Sequence, residues 1–219
     1  MPSYQSPRKD NDQADIDWEY PGGNGADYKQ IPNSKKKDEI KQYPLFLEAI
    51  RKAIGKDKLL SIAVPGKKVD MIAYTQEQGP KIWKSVDFVN VMSYDLFNRR
   101  DTHTKFASGI QESLSTIDNY AAISLDGEKM NLGVAYYAKW AFTDPKKGNC
   151  SMKHALGCPV LPLEKPDGSD SGNSGVVTFE PQNMASPPKH IKTSYNGKCG
   201  FAAKTKCPNG SCCSQYGHW

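Results

Sequence analysis

Polar and apolar residues alternate from Gln13 to Tyr20, directly after Asp12, and carboxylates fill every second position from residue 15 to residue 19. Successive side chains of a β-strand point to opposite faces, so this pattern predicts a strand with Asp15, Asp17 and Glu19 on one face. Three neighbouring carboxylates repel one another when ionised, which favours retention of a proton by one of them, as a general acid requires. The alternatives are an acidic cluster at a helix amino terminus and a calcium loop, although a calcium loop needs a central glycine and a later glutamate.

The hydrophobic pattern that follows predicts alternating helices and strands. Apolar residues recur on one face of a helix predicted over Tyr43–Gly55, where the glycine ends it. Apolar runs predict buried strands at Leu59–Pro65, Val86–Asp95 and Met130–Tyr137, and weaker periodicity predicts helices within Met71–Trp83 and Ile110–Tyr120. Strands that alternate with helices pair in parallel, so the predicted fold class is α/β.

Several polar residues fall where these predicted strands end. Glu19 closes the first strand, Tyr94 and Asp95 close the third, and Tyr137 closes the fourth. In parallel α/β folds the functional groups gather at the carboxyl ends of the strands. These four residues are therefore candidates for one common site.

Composition narrows the class of protein. The chain has 219 residues, 37% of them hydrophobic, and a net charge of +5. Its one compact basic run, Lys35–Lys37, lacks the aromatic residues of a nucleic-acid site, so we expect no nucleic-acid partner. No segment has the roughly 20 apolar residues of a transmembrane helix, and we expect no membrane association. The first residues, Met1–Ser6, are polar and do not resemble a signal peptide.

All six cysteines lie in the last third of the chain. Cys150 and Cys158 are predicted to pair with each other across a loop rich in proline and glycine, and the other four lie between Cys199 and Cys213. This density indicates disulfides and an oxidising compartment, hence an extracellular location. A metal site is the weaker alternative, because Cys212 and Cys213 are adjacent and lack the two-residue gap of a zinc knuckle.

The acidic run resembles the DxxDxDxE motif of family 18 glycoside hydrolases, the chitinase family, with Asp12, Asp15, Asp17 and Glu19 at its acidic positions. Further motifs follow in the family's order. Met92, Tyr94 and Asp95 match its MxYD motif, Leu132–Tyr137 resembles its seventh barrel strand, and Asp95–Asp101 resembles a loop of fungal secreted chitinases. The resemblance covers residues 12–142 and implies a partial (β/α)8 TIM barrel with the equivalents of strands four to seven.

The resemblance also implies a mechanism, in which the substrate's own N-acetyl oxygen attacks the anomeric carbon with retention of configuration. Glu19 would be the general acid, Asp17 would orient the acetamide, and Asp15 would share a proton with Asp17. Tyr94 would hold the acetamide in line. The residues implied to contact the sugar are Met92, Asp95 and Tyr137. The mechanism needs no metal and no organic cofactor.

The end of the chain resembles the start of a hevein-type chitin-binding module. The cysteines from Cys199 to Cys213 follow the spacing Cx7Cx4CC and precede the run SQYG. Modules of this kind are small and disulfide-rich, with little apolar core. The resemblance places Ser214, Tyr216 and His218 at the sugar-binding positions.

These motifs divide the chain into three parts. Residues 1–145 are predicted to form a partial catalytic barrel, residues 146–196 a loop or linker, and residues 197–219 the truncated chitin-binding module. A complete barrel has eight strands and about 250 residues, so the chain is predicted to be the middle of a larger enzyme. Its two open sheet edges would favour self-association.

Three functions fit this sequence. The first is an endo-acting chitinase that cleaves β-1,4-linked N-acetylglucosamine, with chitin or chitooligosaccharides as partners. The second is a chitin-binding fragment without catalysis. The third is an endo-β-N-acetylglucosaminidase that acts on glycoprotein glycans. The hevein-like end favours chitin over glycoproteins.

Overall fold

The computed structural model of the chain describes residues 13–148, 150 and 155–178, and the backbone of 192–193 and 205–206. The described residues form two compact units. The first contains the residues up to Leu96 together with Ser108–Val134, and the second contains Phe97–Ala107 and the residues from Ala135 onward. No helix in the described part of the chain has the length and apolar character needed to cross a membrane.

The first unit is built on a parallel sheet. Its four strands lie side by side in chain order: β1 (Gln13–Ile16), β2 (Leu59–Pro65), β3 (Phe88–Met92) and β4 (Met130–Leu132). The segments between the strands contain α1 (Glu39–Ile54), α2 (Gly79–Ser85), α3 (Ile110–Ala121) and three short 3-10 helices (Asn33–Lys35, Lys68–Asp70 and Gly127–Lys129). This confirms the predicted α/β class with parallel strands. The sheet is consistent with part of a TIM barrel.

The core of the first unit lies between this sheet and its helices. Strand β2, one of the two central strands, is buried at every position after its first residue, which explains why its sequence is apolar except for Ser61. Aromatic rings fill much of the core, and Tyr43, Tyr74 and Tyr120 pack edge to face at centroid distances of 5.8 to 5.9 Å. Edge-to-face contact of this kind adds to the free energy gained from burying the rings.

Helix α1 is longer than the sequence predicts, because it begins at Glu39 and not at Tyr43. The helix passes through Pro44, whose ring nitrogen has no hydrogen for a bond to the carbonyl four residues earlier. Pro44 lies in the second turn of α1, although a proline is better tolerated in the first turn of a helix. Gly55 ends the helix as predicted, at φ 79°, and its N–H donates to the Arg51 carbonyl at 3.0 Å.

The second unit corrects the prediction of a loop or linker over residues 146–196. Part of that range, β6 (Ser174–Thr178), pairs antiparallel with β5 (Tyr137–Ala141). Phe97, Val160 and Leu163 form a small core beneath these strands. The sequence hides this unit because its core residues are scattered among Pro, Gly, Ser and Asp residues and show no period.

The second unit also contains a disulfide and a second pair of strands. Cys150 and Cys158, which the sequence predicts to pair, are joined by a disulfide with Cα atoms 5.8 Å apart. The backbone of β7 (Lys192–Thr193) pairs in parallel with that of β8 (Thr205–Lys206). The predicted chitin-binding residues Ser214, Tyr216 and His218 lie outside the described residues.

Candidate active site

The carboxylate run keeps its alternation beyond the end of β1. The strand ends at Ile16, yet Asp15, Asp17 and Glu19 are all exposed while the residues between them are half-buried. This confirms the two-faced pattern that the sequence predicts. Only Asp15 lies within the hydrogen-bonded strand, and Asp17 and Glu19 follow its carboxyl end.

Asp15 accepts hydrogen bonds from the two central strands. The Ser61 hydroxyl of β2 donates to Asp15 Oδ1 at 2.5 Å, and the Asn90 side chain of β3 donates to the same oxygen at 3.4 Å. Asn131 of β4 donates to Asn90 Oδ1 at 3.0 Å. A row of polar side chains thus crosses all four strands of the first unit on one face of the sheet.

The sequence motifs do not include Ser61, Asn90 and Asn131, which the structure adds to this site. Each is a polar residue inside an otherwise apolar strand, which is the signal that could have revealed them. Ser61 is buried, and a buried polar group without a partner is costly, so a polar residue in such a strand indicates a hydrogen-bond partner on the same face.

Tyr94 lies among three carboxylates just after β3. Its pKa is raised above the ordinary tyrosine value by burial and then by the negative charges of Asp17, Asp95 and Glu19. Charges act on the hydroxyl in this way only at short range, since solvent screens distant ones. The structure therefore brings four predicted site residues together at the carboxyl ends of β1 and β3.

The other predicted sugar contacts occupy two different places. Met92 is the last residue of β3, opposite Pro65 of β2, and is half-buried. Tyr137 does not close β4 as predicted, because β4 ends at Leu132 and Tyr137 begins β5 in the second unit, opposite Thr178. The predicted single strand Met130–Tyr137 is thus two strands in two sheets.

A tightly bonded loop follows Glu19. The peptide bond between Glu19 and Tyr20 is cis. A Cβ added to Gly25 would lie 2.4 Å from the Glu19 carbonyl oxygen, so only glycine allows the loop to pass this close to the backbone of Glu19. The Gly22 N–H donates to the Glu39 carboxylate at 2.9 Å, which joins the loop to the start of α1.

Aromatic hydroxyls lie behind the carboxylates. Within the described residues, Tyr43 and Tyr74 have buried hydroxyls that make no hydrogen bond of acceptable geometry. Burial raises the pKa of Tyr43 to about 12, the neighbouring Tyr74 hydroxyl partly offsets this rise, and the charges of Asp17 and Asp15 add to it. The described part of the chain contains no cluster of three or more His, Cys, Asp or Glu side chains suited to a metal ion.

The amino-acid sequence of this chain is similar to those of several bacterial chitinases. The chain is 26% identical to Chitinase C of Streptomyces lividans over 147 residues, which are 58% of this chain and 22% of that protein. It is 38% identical to Chitinase A1 of Niallia circulans over 91 residues, 38% of this chain and 12% of that protein. The chain therefore matches less than a quarter of the length of either relative.

The fold of this chain is similar to part of the fold of a chitinase of known structure. The catalytic domain 2 of the Ostrinia furnacalis Group II chitinase is similar with a TM-score of 0.59 at 20% sequence identity. The similarity covers 86% of this chain and 50% of that one. The model of the glycosyl hydrolases family 18 matches residues 8–208, which is most of the chain. The sequence and the fold together show that the chain belongs to family 18 of the glycosyl hydrolases.

Proposed function

We propose that this chain carries the catalytic centre of a chitinase that cleaves β-1,4-linked N-acetylglucosamine polymers. The observation that carries the proposal is the gathering of Asp17, Glu19, Tyr94 and Asp95 at the carboxyl ends of β1 and β3. Three carboxylates and a phenol offer both a proton donor and groups that bind an acetamide. Such a set is suited to a sugar whose own N-acetyl group takes part in the reaction.

Glu19 is the proposed general acid. It is exposed beyond the end of β1, where a glycosidic oxygen has access to it. Protonation of that oxygen lets the leaving sugar depart while the acetamide oxygen of the retained sugar attacks the anomeric carbon. Water then opens the resulting oxazolinium ring from the opposite side, so the configuration is retained.

Asp17 and Asp15 support this step from the same face. Asp17 orients the acetamide and stabilises the positive charge that develops on it. Asp15 shares a proton with Asp17, and the donors Ser61 and Asn90 hold Asp15 in place through its Oδ1 atom. That arrangement leaves the other carboxylate oxygen of Asp15 for Asp17.

Tyr94 is proposed to donate a hydrogen bond to the acetamide. Its raised pKa keeps the phenol protonated over a wide range of pH, which a donor needs. Asp95, Met92 and Tyr137 are proposed as sugar contacts, and Ser214, Tyr216 and His218 as chitin-binding residues of the end of the chain. The endo mode of action, the fungal origin and the extracellular location remain parts of the same proposal.

A second candidate is chitin binding without hydrolysis. In the part of the chain that the structure describes, β1 and β4 are the edges of a four-stranded sheet, and the three carboxylates are exposed. In a site open to water, charged and polar groups stabilise the charge of a transition state less than they do in a site from which water is excluded. The edges are also where self-association would occur.

The test is hydrolysis of a fluorogenic chitin oligosaccharide by the purified chain and its Glu19→Gln variant. We expect Glu19→Gln to lower the rate by about a thousandfold or more, because the amide keeps the shape and loses the proton. Glu48→Gln is the matched control, since Glu48 is an exposed carboxylate on α1, and it should hydrolyse like the parent. Full activity in Glu19→Gln would refute the assignment of the acid.

Pelleting with insoluble chitin separates the two candidates. Binding by both parent and Glu19→Gln, with hydrolysis by the parent alone, supports the chitinase. Binding without hydrolysis by either supports the binding protein. Release of glycans from a glycoprotein without action on chitin would instead support the endo-β-N-acetylglucosaminidase.

A further inference from the structure

Two glycines flank the carboxyl end of β3. Gly66 follows β2 and Gly133 follows β4, on either side of the segment that leads to Tyr94. A Cβ on Gly66 would lie 2.2 Å from the Met92 carbonyl oxygen, and one on Gly133 would lie 2.6 Å from the Val91 carbonyl oxygen. Both distances are far below van der Waals contact, so these neighbours approach β3 more closely than any residue with a side chain allows.

The ring of Tyr94 fills the space that the missing side chain of Gly133 leaves. A Cβ on Gly133 would lie 2.7 Å from Cε1 and 3.3 Å from Cδ1 of Tyr94. The edge of the ring therefore rests against the backbone just after β4. The position of the Gly133 backbone thus limits where the phenol can lie.

Ser93 holds Gly133 in that position. Its side chain is fully buried, and its hydroxyl donates to the Gly133 carbonyl at 2.8 Å. The Gly133 N–H donates to the Val91 carbonyl, also at 2.8 Å. Gly133 is therefore bonded to β3 through its N–H and to Ser93, just after β3, through its carbonyl, beyond the last paired residues of β3 and β4.

Helix α3 holds Ser93 in turn. The buried Ser113 hydroxyl donates to the Ser93 carbonyl at 2.8 Å. Two serine hydroxyls thus join α3 to Ser93 and Ser93 to Gly133, in the segments just after β3 and β4. Buried hydrogen bonds of this kind fix geometry, because loss of one partner leaves the other unsatisfied in a place that water does not reach.

We propose that Ser93 is a positioning residue, which holds the Gly133 backbone against the Tyr94 ring and so keeps the phenol beside Asp17 and Glu19. Ser113 is proposed to position Tyr94 indirectly, because its hydroxyl holds the backbone of Ser93. The importance of this position for hydrolysis rests on the proposed function. The position itself does not, and it can be measured in a chain that has no activity.

The test follows Tyr94 by nuclear magnetic resonance. The chain is labelled with ring-13C tyrosine, and the Tyr94 signals are those lost in Tyr94→Phe. Burial and the charges of Asp17, Asp95 and Glu19 raise the Tyr94 pKa in the parent. In Ser93→Ala and Gly133→Ala the ring is released or pushed outward, so we expect its signals to move and its pKa to fall toward the ordinary tyrosine value.

Ser115→Ala is the matched control. Ser115 lies on the same helix and its hydroxyl also donates to a backbone carbonyl, that of Glu112 at 2.8 Å, but on the exposed side. It should leave the Tyr94 signals and pKa unchanged. Unchanged Tyr94 signals in folded Ser93→Ala and Gly133→Ala would overturn the proposal. If neither variant folds, Ser113→Ala decides in the same way.

Kinetics separate this proposal from the proposed function. If the parent hydrolyses chitin oligosaccharides, a displaced Tyr94 should lower kcat by up to about a hundredfold and change KM little, as small misplacements of reacting groups do. An active Ser93→Ala with parent kcat would count against a positioning role. If the parent is inactive and Tyr94 still moves in the variants, the positioning stands and the proposed hydrolysis fails.

Discussion

Asn24 and Asn33 exchange hydrogen bonds across the loop that follows Glu19. The Asn33 side chain donates to Asn24 Oδ1 at 2.8 Å, and the Asn24 backbone N–H donates to Asn33 Oδ1 at 2.9 Å. Asn24 also donates to the carboxylate of Asp70 at 2.9 Å, and Asp70 is buried. Asn24 has a φ of 62°, a conformation that asparagine adopts more readily than most residues. The pair fixes the loop behind the candidate acid.

Replacement of Asn33 by alanine should destabilise the first unit. The variant leaves the Asn24 N–H and Asn24 Oδ1 without these partners, at a cost of about 1–3 kcal/mol in the free energy of unfolding. Urea denaturation followed by tryptophan fluorescence measures it. Gln42→Ala, which removes an exposed amide from α1, should change the same free energy by less than about 0.5 kcal/mol. Equal effects of the two substitutions would show that the loop pair contributes nothing.

Tyr120→Phe should cost more stability than Tyr43→Phe. The Tyr120 hydroxyl donates to the Pro65 carbonyl at 2.7 Å in the core, so its loss should cost about 1–3 kcal/mol. The Tyr43 hydroxyl is buried and faces the buried Tyr74 hydroxyl without a hydrogen bond of good geometry within the described residues, so its removal should cost less than about 1 kcal/mol. The two variants delete the same atom from the same residue type, and denaturation curves compare them directly. A larger loss of stability in Tyr43→Phe would contradict the hydrogen-bond assignment.

Tyr43 should also make the fold sensitive to alkali. Its pKa is about 12 in the folded chain, against an ordinary value of 10.0. Because the folded pKa is the higher one, the unfolded chain ionises first, and the contribution of Tyr43 to stability is complete below pH 10 and lost between pH 10 and about 12. Tyr43→Phe should therefore lose less stability over this range, by about 2 kcal/mol near the upper limit. The midpoints of urea denaturation of parent and variant at about pH 9 and about pH 11.5 measure this difference. Equal losses of stability in the two proteins between these pH values would contradict the prediction.

The guanidinium group of Arg51 donates hydrogen bonds to four different residues near the ends of α1 and α2. It donates to the carbonyls of Ser85, Gly55 and Lys58 at 2.7 to 2.9 Å and to the Asp87 carboxylate at 2.5 Å. Asp87 Oδ2 also accepts from the backbone N–H of Leu60 at 2.7 Å. The end of α1 is thus joined to the segments that enter β2 and β3. A lysine cannot reproduce this fork of donors.

Arg51→Lys should lower the free energy of unfolding by about 1–3 kcal/mol although it keeps the charge. Most of the bonds are to uncharged carbonyls, so 1 M salt should weaken the parent little. Lys52→Ala is the control, because Lys52 is the exposed neighbour on the same helix. A loss in Arg51→Lys no greater than that in the control would mean that the charge alone matters.

The carboxylate face, the parallel strands and the grouping of Glu19 with Tyr94 and Asp95 followed from the sequence. Each depends on a local regularity: alternation with period two, runs of mostly apolar residues, or a motif of fixed spacing. Helix α1 shows the limit of such regularities, since the apolar periodicity predicts a start at Tyr43 and the helix begins at Glu39. Boundaries depend on neighbouring packing as well as on local preference.

The polar row and the second unit could not be derived in this way. The contact between Asp15 and Asn90 joins residues 75 apart in sequence, across the intervening strand β2. Strand β6 is a short run of small and β-branched residues that becomes a strand only because β5 lies beside it.

The sequence by itself determined that Asp15, Asp17 and Glu19 share one face of the chain at and beyond the end of β1, because side-chain direction along an extended chain is a local property. Tertiary structure alone decided that Ser61, Asn90 and Asn131 form a row with Asp15, that Tyr137 belongs to a second sheet, and that Gly133 bounds the place of Tyr94. These are contacts between strands distant in the chain. They exist only once the register of the sheet is set, and register is chosen by the packing of the whole core.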